Sequence, residues 1–242
     1  MAFIQMEIGA GSLGKQTTLN VIMPQLPAGS PKYKCLYLLH GYSDDYSMWA
    51  RRTSIERFAA RYNIAVVMPD GAKSFYTNTS SGDNYYDYIA KELPETIEAM
   101  FNVSDKPEDR YIGGLSMGGY GALKTALRED GKFSACVSLS PVTDIRSFVA
   151  TNEWVRWDGI FGAEKQVPDC DDILTLAKNC KNRPRIYMAI GLNDFLYNNN
   201  LPARKLFGEL GYDFHYEEGE GDHCWDFWDF HIEKALAWIM NG

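Results

Sequence analysis

A serine held between paired glycines is the residue best placed to do chemistry. Residues 114–118 read Gly-Leu-Ser-Met-Gly, a pattern that lifts a serine hydroxyl out of a sharp turn between a strand and a helix. The flanking glycines are needed because a Cβ at either position would strike the neighbouring strand or helix. A helix predicted over 119–127 points its free N–H groups at Ser116, where they would stabilise a developing negative charge. The pattern predicts a nucleophile at Ser116, and a serine that only caps the helix is the alternative.

A serine nucleophile needs a base within hydrogen-bond reach and an acid behind that base. Where a serine occupies such a turn, the partners follow in the order serine, acid, histidine. His223 comes after the last predicted strand, and Asp194 comes after the strand before it. We therefore predict His223 as the base and Asp194 as the acid that holds the imidazole in the correct tautomer. Asp222 remains open as an alternative acid because it is next to His223 in sequence.

The other three histidines have structural interpretations. His215 lies within a predicted edge strand, and His231 lies on the last predicted helix, two turns beyond the proposed base. His40 ends a predicted strand next to Ser116, where we expect it to brace the following loop by hydrogen bonding. Asp44 and Asp45 are expected to shape the turn of that loop.

Two backbone N–H donors are needed to bind the oxyanion that forms when a serine attacks an ester. In this arrangement one donor is the residue after the nucleophile, which is Met117, and the other comes from the loop after an earlier strand. That loop begins at Gly41, and we predict Tyr42 as the second donor, with Gly41 as the second choice. Glycine at position 41 would also let the backbone approach a substrate closely. The alternative is that His40 and Gly41 only end the strand.

The apolar pattern predicts the elements that must position these residues. Alternation at Ile4, Met6 and Ile8, repeated at 19–23, indicates an antiparallel edge hairpin. Wholly apolar runs, typical of buried parallel strands, then follow at 35–39, 64–68, 111–115, 135–139 and 186–190, with a more polar edge run at 212–216. The sequence therefore predicts an α/β fold with a mostly parallel twisted sheet, an antiparallel N-terminal edge and helices on both faces.

Helix boundaries are marked by local signals. Residues 53–56 form a capping box that predicts a helix start. Pro202 and Gly211 predict the start and end of another helix, and a final helix is predicted over 225–240.

One segment interrupts the alternation of strands and helices. Residues 141–182 separate two predicted strands and are too many for a plain connection. We expect a single domain over 1–242, with 141–182 forming a small cap over the pocket that holds the acyl group. An insertion whose aromatic residues pack on the body is the alternative. Tyr76, Trp154 and Trp157 are candidates for stacking on an aryl group, again with packing as the alternative.

Composition excludes several classes of function. The chain has 242 residues and a net charge of −8, which argues against nucleic acid and anionic membranes as partners. The sequence has no apolar run long enough to cross a membrane, and its first residues do not resemble a signal peptide. Five cysteines without metal-ligand spacing indicate reduced thiols, so we expect a cytoplasmic protein. The sequence leaves open whether the chain forms a homo-oligomer.

Taken together, these motifs resemble the esterase D-like α/β hydrolases, a group that includes S-formylglutathione hydrolases, feruloyl esterases and tributyrin esterases. The bacterial tributyrin esterases are the most similar. The similarity covers nearly the whole chain and is most specific at Leu38-Leu39-His40-Gly41 with Trp49, Gly114-Leu115-Ser116-Met117-Gly118-Gly119-Tyr120-Gly121, Asp194-Phe195-Leu196 and Gly221-Asp222-His223-Cys224-Trp225-Asp226-Phe227-Trp228.

The resemblance implies an α/β-hydrolase fold and a serine carboxylesterase that acts on short acyl or aryl esters without metal or cofactor. It implies the same site as the residue pattern: Ser116, Asp194 and His223 as the triad, with Tyr42 and Met117 as oxyanion donors. It also places Trp157 and Phe161 of the cap near the acyl group. Alternatives are a feruloyl or acetyl-sugar esterase, an S-formylglutathione hydrolase and, outside catalysis, a scaffold protein on an inactive hydrolase fold.

Overall fold

A mixed sheet forms the centre of the computed structural model, which describes residues 1–25, 27 and 29–241. In chain order its strands are β1 (Ala2–Ala10), β2 (Lys15–Met23), β3 (Cys35–Leu39), β4 (Ala65–Pro69), β5 (Arg110–Leu115), β6 (Ala135–Leu139), β7 (Arg185–Gly191) and β8 (Phe214–Gly219). Their order in space is β1-β2-β4-β3-β5-β6-β7-β8. β2 pairs antiparallel with both β1 and β4, and all other neighbours are parallel. The predicted sheet type, including its antiparallel N-terminal edge, is confirmed.

The helices, in chain order, are α1 (Met48–Arg52), α2 (Ile55–Tyr62), α3 (Tyr85–Asp87), α4 (Leu93–Met100), α5 (Met117–Arg128), α6 (Ile145–Thr151), α7 (Trp157–Phe161), α8 (Ile173–Asn179), α9 (Tyr197–Glu209) and α10 (Trp225–Met240). A wider, π-helical turn at Tyr88–Glu92 joins α3 to α4. Helices α4, α5, α8 and α9 bury apolar side chains against one face of the sheet. Helices α2 and α10 cover the other face.

The buried parallel strands are apolar throughout because both of their faces are covered. In β3, Cys35, Tyr37 and Leu39 pack into the core under α5, whereas Leu36 and Leu38 pack under α10 and α2. This alternation follows from the two-residue repeat of a strand. The sheet therefore holds its loops between two packed layers.

Three local signals at element ends act differently from the prediction. The helix predicted to start at Pro202 begins five residues earlier, and Pro202 lies inside α9. A helix does start within 53–56, since α2 begins at Ile55, but the capping box does not form, and the Ser54 N–H donates to the Asp229 carboxylate. Strand β8 starts two residues later than predicted and runs on to Gly219. In each case a tertiary contact or a turn outweighs the local signal.

The register of the parallel strands brings their carboxyl ends to one edge of the sheet. Leu39 of β3 pairs with Gly114 of β5, Leu115 with Leu139 of β6, and Gly191 of β7 with Gly219 of β8. The loops that follow β3, β5, β7 and β8 consequently leave from the same edge. These four loops carry Tyr42, Ser116, Asp194 and His223, respectively.

Candidate active site

Ser116 occupies a strained turn between β5 and α5. Its φ of 54° and ψ of −118° are rarely adopted by a residue with a side chain, and its N–H donates to the Leu139 carbonyl at 2.8 Å. A Cβ at Gly114 would lie 2.5 Å from the Gly118 carbonyl oxygen, and a Cβ at Gly118 would lie 2.4 Å from the Leu39 oxygen. Both glycines are therefore required by close backbone packing, and the Ser116 side chain does not cap α5.

Asp194 and His223 meet although 29 residues separate them in the chain. The Nδ1 atom of His223 lies 2.9 Å from Oδ2 and 3.1 Å from Oδ1 of Asp194. A carboxylate only accepts, so Nδ1–H donates and Nε2 of the neutral ring keeps a free lone pair. The Asp194 carboxylate is buried and also accepts from the Leu196 N–H at 2.8 Å. This pair has the geometry of an oriented base.

The two loops that carry this pair are fastened to each other by backbone contacts. The Asn193 N–H donates to the Gly221 carbonyl at 3.1 Å, and the Leu192 N–H donates to the Gly219 carbonyl at 2.8 Å. A Cβ at Gly191 would lie 2.2 Å from the Gly221 oxygen, so only glycine fits there. The separation of acid and base is therefore fixed by the main chain.

Ser116 and His223 line the same cavity, with the His223 ring packed between Phe195 and Trp228 at centroid distances of 4.5 and 4.9 Å. In the part of the chain that the structure describes, the Ser116 hydroxyl makes no hydrogen bond. Hydrogen bonds of this kind are often long or misaligned without substrate and tighten in the complex. The structure thus brings the serine and the Asp194-bonded histidine to one cavity.

Two backbone N–H groups beside Ser116 are unused. Neither the Tyr42 N–H nor the Met117 N–H donates to an acceptor within residues 1–25, 27 and 29–241. The loop at Tyr42 is held by His40, whose Nδ1–H donates to the Gly41 carbonyl at 2.7 Å while its Nε2 accepts from the Gly71 N–H at 2.9 Å. His40 therefore braces this loop as the sequence predicted.

The cavity has a volume of about 510 Å³ and is mostly apolar. Its walls are formed by Gly41, Tyr42, Ser43, Asp44, Leu115, Ser116, Trp154, Phe195, His223, Cys224, Trp225 and Trp228. The aromatic wall residues that the sequence did not predict as site residues are Phe195, Trp225 and Trp228. The usable signal was their position, since Phe195 directly follows Asp194, and Trp225 and Trp228 lie on one face of the helix that begins after His223.

The aromatic residues of the 141–182 segment are placed differently from the prediction. Trp154 is 58% exposed and lines the cavity, with its ring 5.1 Å from that of Tyr42. Trp157 and Phe161 stack on each other outside the cavity, and Trp157 is buried against Phe75. The reason is local, because the Trp157 indole N–H donates to the Asn152 carbonyl and turns that ring inward.

The remaining candidates lie away from the Asp194–His223 pair or carry no side-chain contact to it. Asp222 is exposed, and no hydrogen bond joins its carboxylate to His223 among the described residues. Tyr76 is fully buried and donates its hydroxyl to the His40 carbonyl at 2.9 Å, so it packs under the loop and lines no part of the cavity. His231 and His215 contact Glu217 instead of the cavity.

Neither a metal-ligand cluster nor a membrane-spanning helix occurs among the described residues. They contain no group of histidine, cysteine, aspartate and glutamate side chains that could hold a metal ion. No described helix is both long enough and apolar enough to span a bilayer. All five cysteines are free, and Cys35 and Cys136 are buried in the core that includes α5.

A strained serine turn at the carboxyl edge of a mostly parallel sheet, with aspartate and histidine following in that order, defines the α/β-hydrolase class. Comparison with known proteins agrees. The family model named Esterase, described as "Putative esterase", matches residues 10–239. This chain therefore belongs to the Esterase family.

Individual relatives give the same result. An acetyl esterase of Caldicellulosiruptor saccharolyticus is 34% identical over 266 aligned positions, which cover 100% of this chain and 99% of that protein. The substrate-bound fluorophosphonate-binding serine hydrolase FphF of Staphylococcus aureus is 32% identical, with a TM-score of 0.93 and coverage of 100% and 99% of the two chains. The S-formylglutathione hydrolase FrmB of Staphylococcus aureus is also 32% identical, with a TM-score of 0.90 and coverage of 99% and 98%. The chain is a carboxylic ester hydrolase of the serine esterase type.

Proposed function

We propose that Ser116, His223 and Asp194 form the catalytic triad of an esterase that cleaves short acyl or aryl esters. The observation that carries this proposal is the hydrogen-bonded Asp194–His223 pair in the cavity that Ser116 lines. In this scheme His223 Nε2 takes the Ser116 proton while Ser116 Oγ attacks the ester carbonyl. Asp194 stabilises the imidazolium that results and keeps Nδ1 protonated.

The second half of the reaction reuses the same groups. The imidazolium of His223 protonates the departing alcohol, and the neutral ring then deprotonates a water that attacks the acyl-enzyme. Each tetrahedral intermediate places its oxyanion on the free N–H groups of Tyr42 and Met117. The loss of one such donor typically costs about 3 kcal/mol in the barrier, which is why a braced loop at Gly41 matters.

The preference for short esters is supported by the size of the cavity. About 510 Å³ bounded by aromatic walls is enough for a small acyl group and a small alcohol. We assign the wall contributed by the 141–182 insertion to Trp154. Trp157 and Phe161, predicted as direct substrate contacts, would then act through Phe148, whose ring lies 6.2 Å from Trp154 and 5.9 Å from Trp157.

The insertion has two parts in this proposal. Helix α8 packs on α5 in the body of the molecule, so it belongs to the hydrolase layer. The segment between α6 and α7 carries Trp154 and forms the cap over the acyl pocket. The substrate is a small neutral ester, and no nucleic acid partner is expected. The five free cysteines support a cytoplasmic location, where thiols stay reduced.

A second candidate is the hydrolysis of a glutathione thioester. The observation that favours it is the similarity to the S-formylglutathione hydrolase structure, at 32% identity over nearly the whole chain. The same triad would serve, because a thioester carbonyl is attacked in the same way. The two candidates differ in what the cavity must hold beside the reacting carbonyl.

The test is Ser116→Ala assayed with p-nitrophenyl acetate, with Ser147→Ala as the matched control. Ser147 is exposed on α6, away from the cavity. We expect kcat to fall by about a million-fold for Ser116→Ala, by analogy with the loss of a serine-protease nucleophile, and to stay at the wild-type value for Ser147→Ala. Near-normal turnover by a folded Ser116→Ala variant would reject the triad. A parallel assay with S-formylglutathione separates the two candidates.

A further inference from the structure

The cavity contains a carboxylate that ester hydrolysis does not use. Asp44 is half-buried and lines the cavity together with Ser116. A Cβ built on Gly41 would lie 2.9 Å from Asp44 Oδ2 and 3.7 Å from Ser116 Cβ, so both groups border the same small volume. The negative charge of Asp44 therefore lies beside the position that the ester carbonyl must occupy.

No permanently charged cation neutralises this carboxylate inside the cavity. The wall residues include no lysine or arginine, and Asp44 forms no salt bridge within the described part of the chain. Arg52, at the end of α1, acts on Asp44 from outside the cavity wall, and Lys73 Nζ, also outside the wall, lies 5.2 Å from the centre of the Tyr42 ring. Burial raises the pKa of the Asp44 carboxyl, while His40, the Gly41 N–H and Arg52 oppose that rise.

The aromatic part of the cavity wall makes the charge of Asp44 more effective. Trp225 and Trp228 pack edge to face at 5.2 Å, and Trp225 also packs edge to face on Trp49 at 5.3 Å, so this side of the cavity is built from indole rings. Indole faces attract cations, and the rings carry no positive charge that would attract an anion. A low-dielectric wall also weakens the screening of a charge by water.

We propose that Asp44 is a specificity-determining residue that sorts esters by charge. The cavity accepts esters that are uncharged or cationic next to the reacting carbonyl, and it rejects those that carry a carboxylate there. This inference rests on the proposed ester hydrolysis at Ser116.

The experiment compares wild-type enzyme with Asp44→Asn, which keeps a side-chain oxygen as an acceptor and removes the charge. One pair of substrates places the charge in the acyl part: p-nitrophenyl butyrate and the mono-p-nitrophenyl ester of succinate. A second set places it in the leaving group: phenyl acetates with para-nitro, para-carboxylate or para-trimethylammonium substituents. The ratio of variant to wild-type kcat/KM is taken for each ester, so differences in intrinsic reactivity cancel.

We expect the variant-to-wild-type ratio to be about tenfold higher for an anionic ester than for its neutral partner. For the cationic ester, we expect the ratio to be about tenfold lower than for the neutral partner. The size follows because unit charges a few ångströms apart interact this strongly at a partly hydrated site. Asp45→Asn removes the same charge from an exposed neighbour and should leave all ratios equal. A loss of loop structure would lower every ratio together. Equal ratios for Asp44→Asn, with retained activity on the neutral esters, would overturn the charge selection.

The proposed function fails in a different way. If Ser116→Ala still cleaves the neutral esters at the wild-type rate, the reaction does not occur at this site and the triad is wrong. If Ser116→Ala is inactive and Asp44→Asn does not distinguish charges, the triad stands and only the role of Asp44 is lost.

Discussion

Two histidine–carboxylate contacts lie eight residues apart at the end of the chain, and the same residue types are used in opposite ways. His223 donates from Nδ1 to Asp194 at 2.9 Å. His231 lies on α10 with Nδ1 3.1 Å from the Tyr187 hydroxyl, and 3.8 Å from Glu217. Since the Tyr187 hydroxyl donates to Glu217, its oxygen accepts from His231, so both histidines are protonated at Nδ1.

The two rings differ in what their second nitrogen faces. The His223 ring borders the cavity that contains Ser116. The His231 ring is only 4% exposed and packs against Phe227 and Phe230, at centroid distances of 4.2 and 5.1 Å. Burial lowers the pKa of His231 to about 4, so this ring stays neutral at neutral pH without any reacting group beside it.

The two carboxylates also differ. Asp194 accepts from His223 and the Leu196 N–H and contacts no lysine or arginine among the described residues. Glu217 accepts from Lys234, His215 and Tyr187, and these contacts outweigh burial and lower its pKa to about 2. A histidine–carboxylate pair therefore indicates catalysis only under two conditions. The carboxylate must have no other charged or histidine partner, and the ring must border a cavity that contains a nucleophile.

The largest expected difference is between His223→Asn and His231→Asn. Removing the base should lower kcat on p-nitrophenyl acetate by about a million-fold, as in serine proteases. His231 is not part of the cavity wall, so asparagine at this position should leave kcat at the wild-type value. Steady-state kinetics of both purified variants checks this, with circular dichroism to show that each is folded. Comparable losses in both variants would break the distinction between the two histidines.

The next largest effect concerns the carboxylates. Asp194→Asn should lower kcat by about ten thousand-fold, because an amide cannot hold the catalytic tautomer in the same way. Asp222→Asn, next to His223 in sequence, should change kcat less than tenfold since its exposed carboxylate does not contact the ring. The measurement is kcat for both variants under one set of conditions. The reverse ranking would make Asp222 the acid.

Acid stability should depend on His231. Its pKa is about 4 in the folded chain and 6.5 ordinarily, so between these values the unfolded chain binds more protons. The contribution of His231 to the free energy of unfolding is therefore fully present above pH 6.5. It decreases as the pH falls towards 4, and the total loss is about 2 kcal/mol after screening. Urea unfolding at pH 4.5 and 7 should show a smaller pH difference for His231→Asn than for wild type. An unchanged difference would mean that another group carries the acid sensitivity.

The smallest effect is expected for Glu217→Gln. Its carboxylate is partly exposed, and exposed ion pairs such as the one with Lys234 are typically worth about 0.5 kcal/mol each. We expect a loss of about 1 kcal/mol in unfolding free energy and wild-type kcat, measured by urea unfolding and p-nitrophenyl acetate hydrolysis. A large loss of activity would show that this second pair is coupled to the cavity.

Much of the fold could be predicted because its signals are local and repeated. Wholly apolar runs identified the parallel strands, and chain order alone placed Ser116, Asp194 and His223 after strands whose carboxyl ends share one edge. The wall of the cavity could not be predicted in this way. That Trp154 and not Trp157 faces the cavity goes with tertiary contacts, such as the hydrogen bond from the Trp157 indole to Asn152 and its packing on Phe75, which no periodicity records.

The same limit applies to Pro202 and Asp44. Proline is favoured at a helix start, but here the turn after Asp194 begins the helix earlier, and Pro202 is tolerated inside α9. Asp44 shapes the turn as expected, since its N–H donates to the Gly41 carbonyl at 3.2 Å. That its carboxylate also borders the cavity depends on how the β3 loop packs against Ser116, which is a tertiary property.

Labelling with a fluorophosphonate tests the central claim most directly. The reagent forms a stable bond with a serine only when a base activates its hydroxyl, so the modified residue reports the nucleophile itself. Intact-mass analysis and peptide mapping should find one adduct, on Ser116, that is absent from Ser116→Ala and strongly slowed in His223→Asn but not in His231→Asn. An unlabelled wild-type protein, or an adduct on a different serine, would contradict the account.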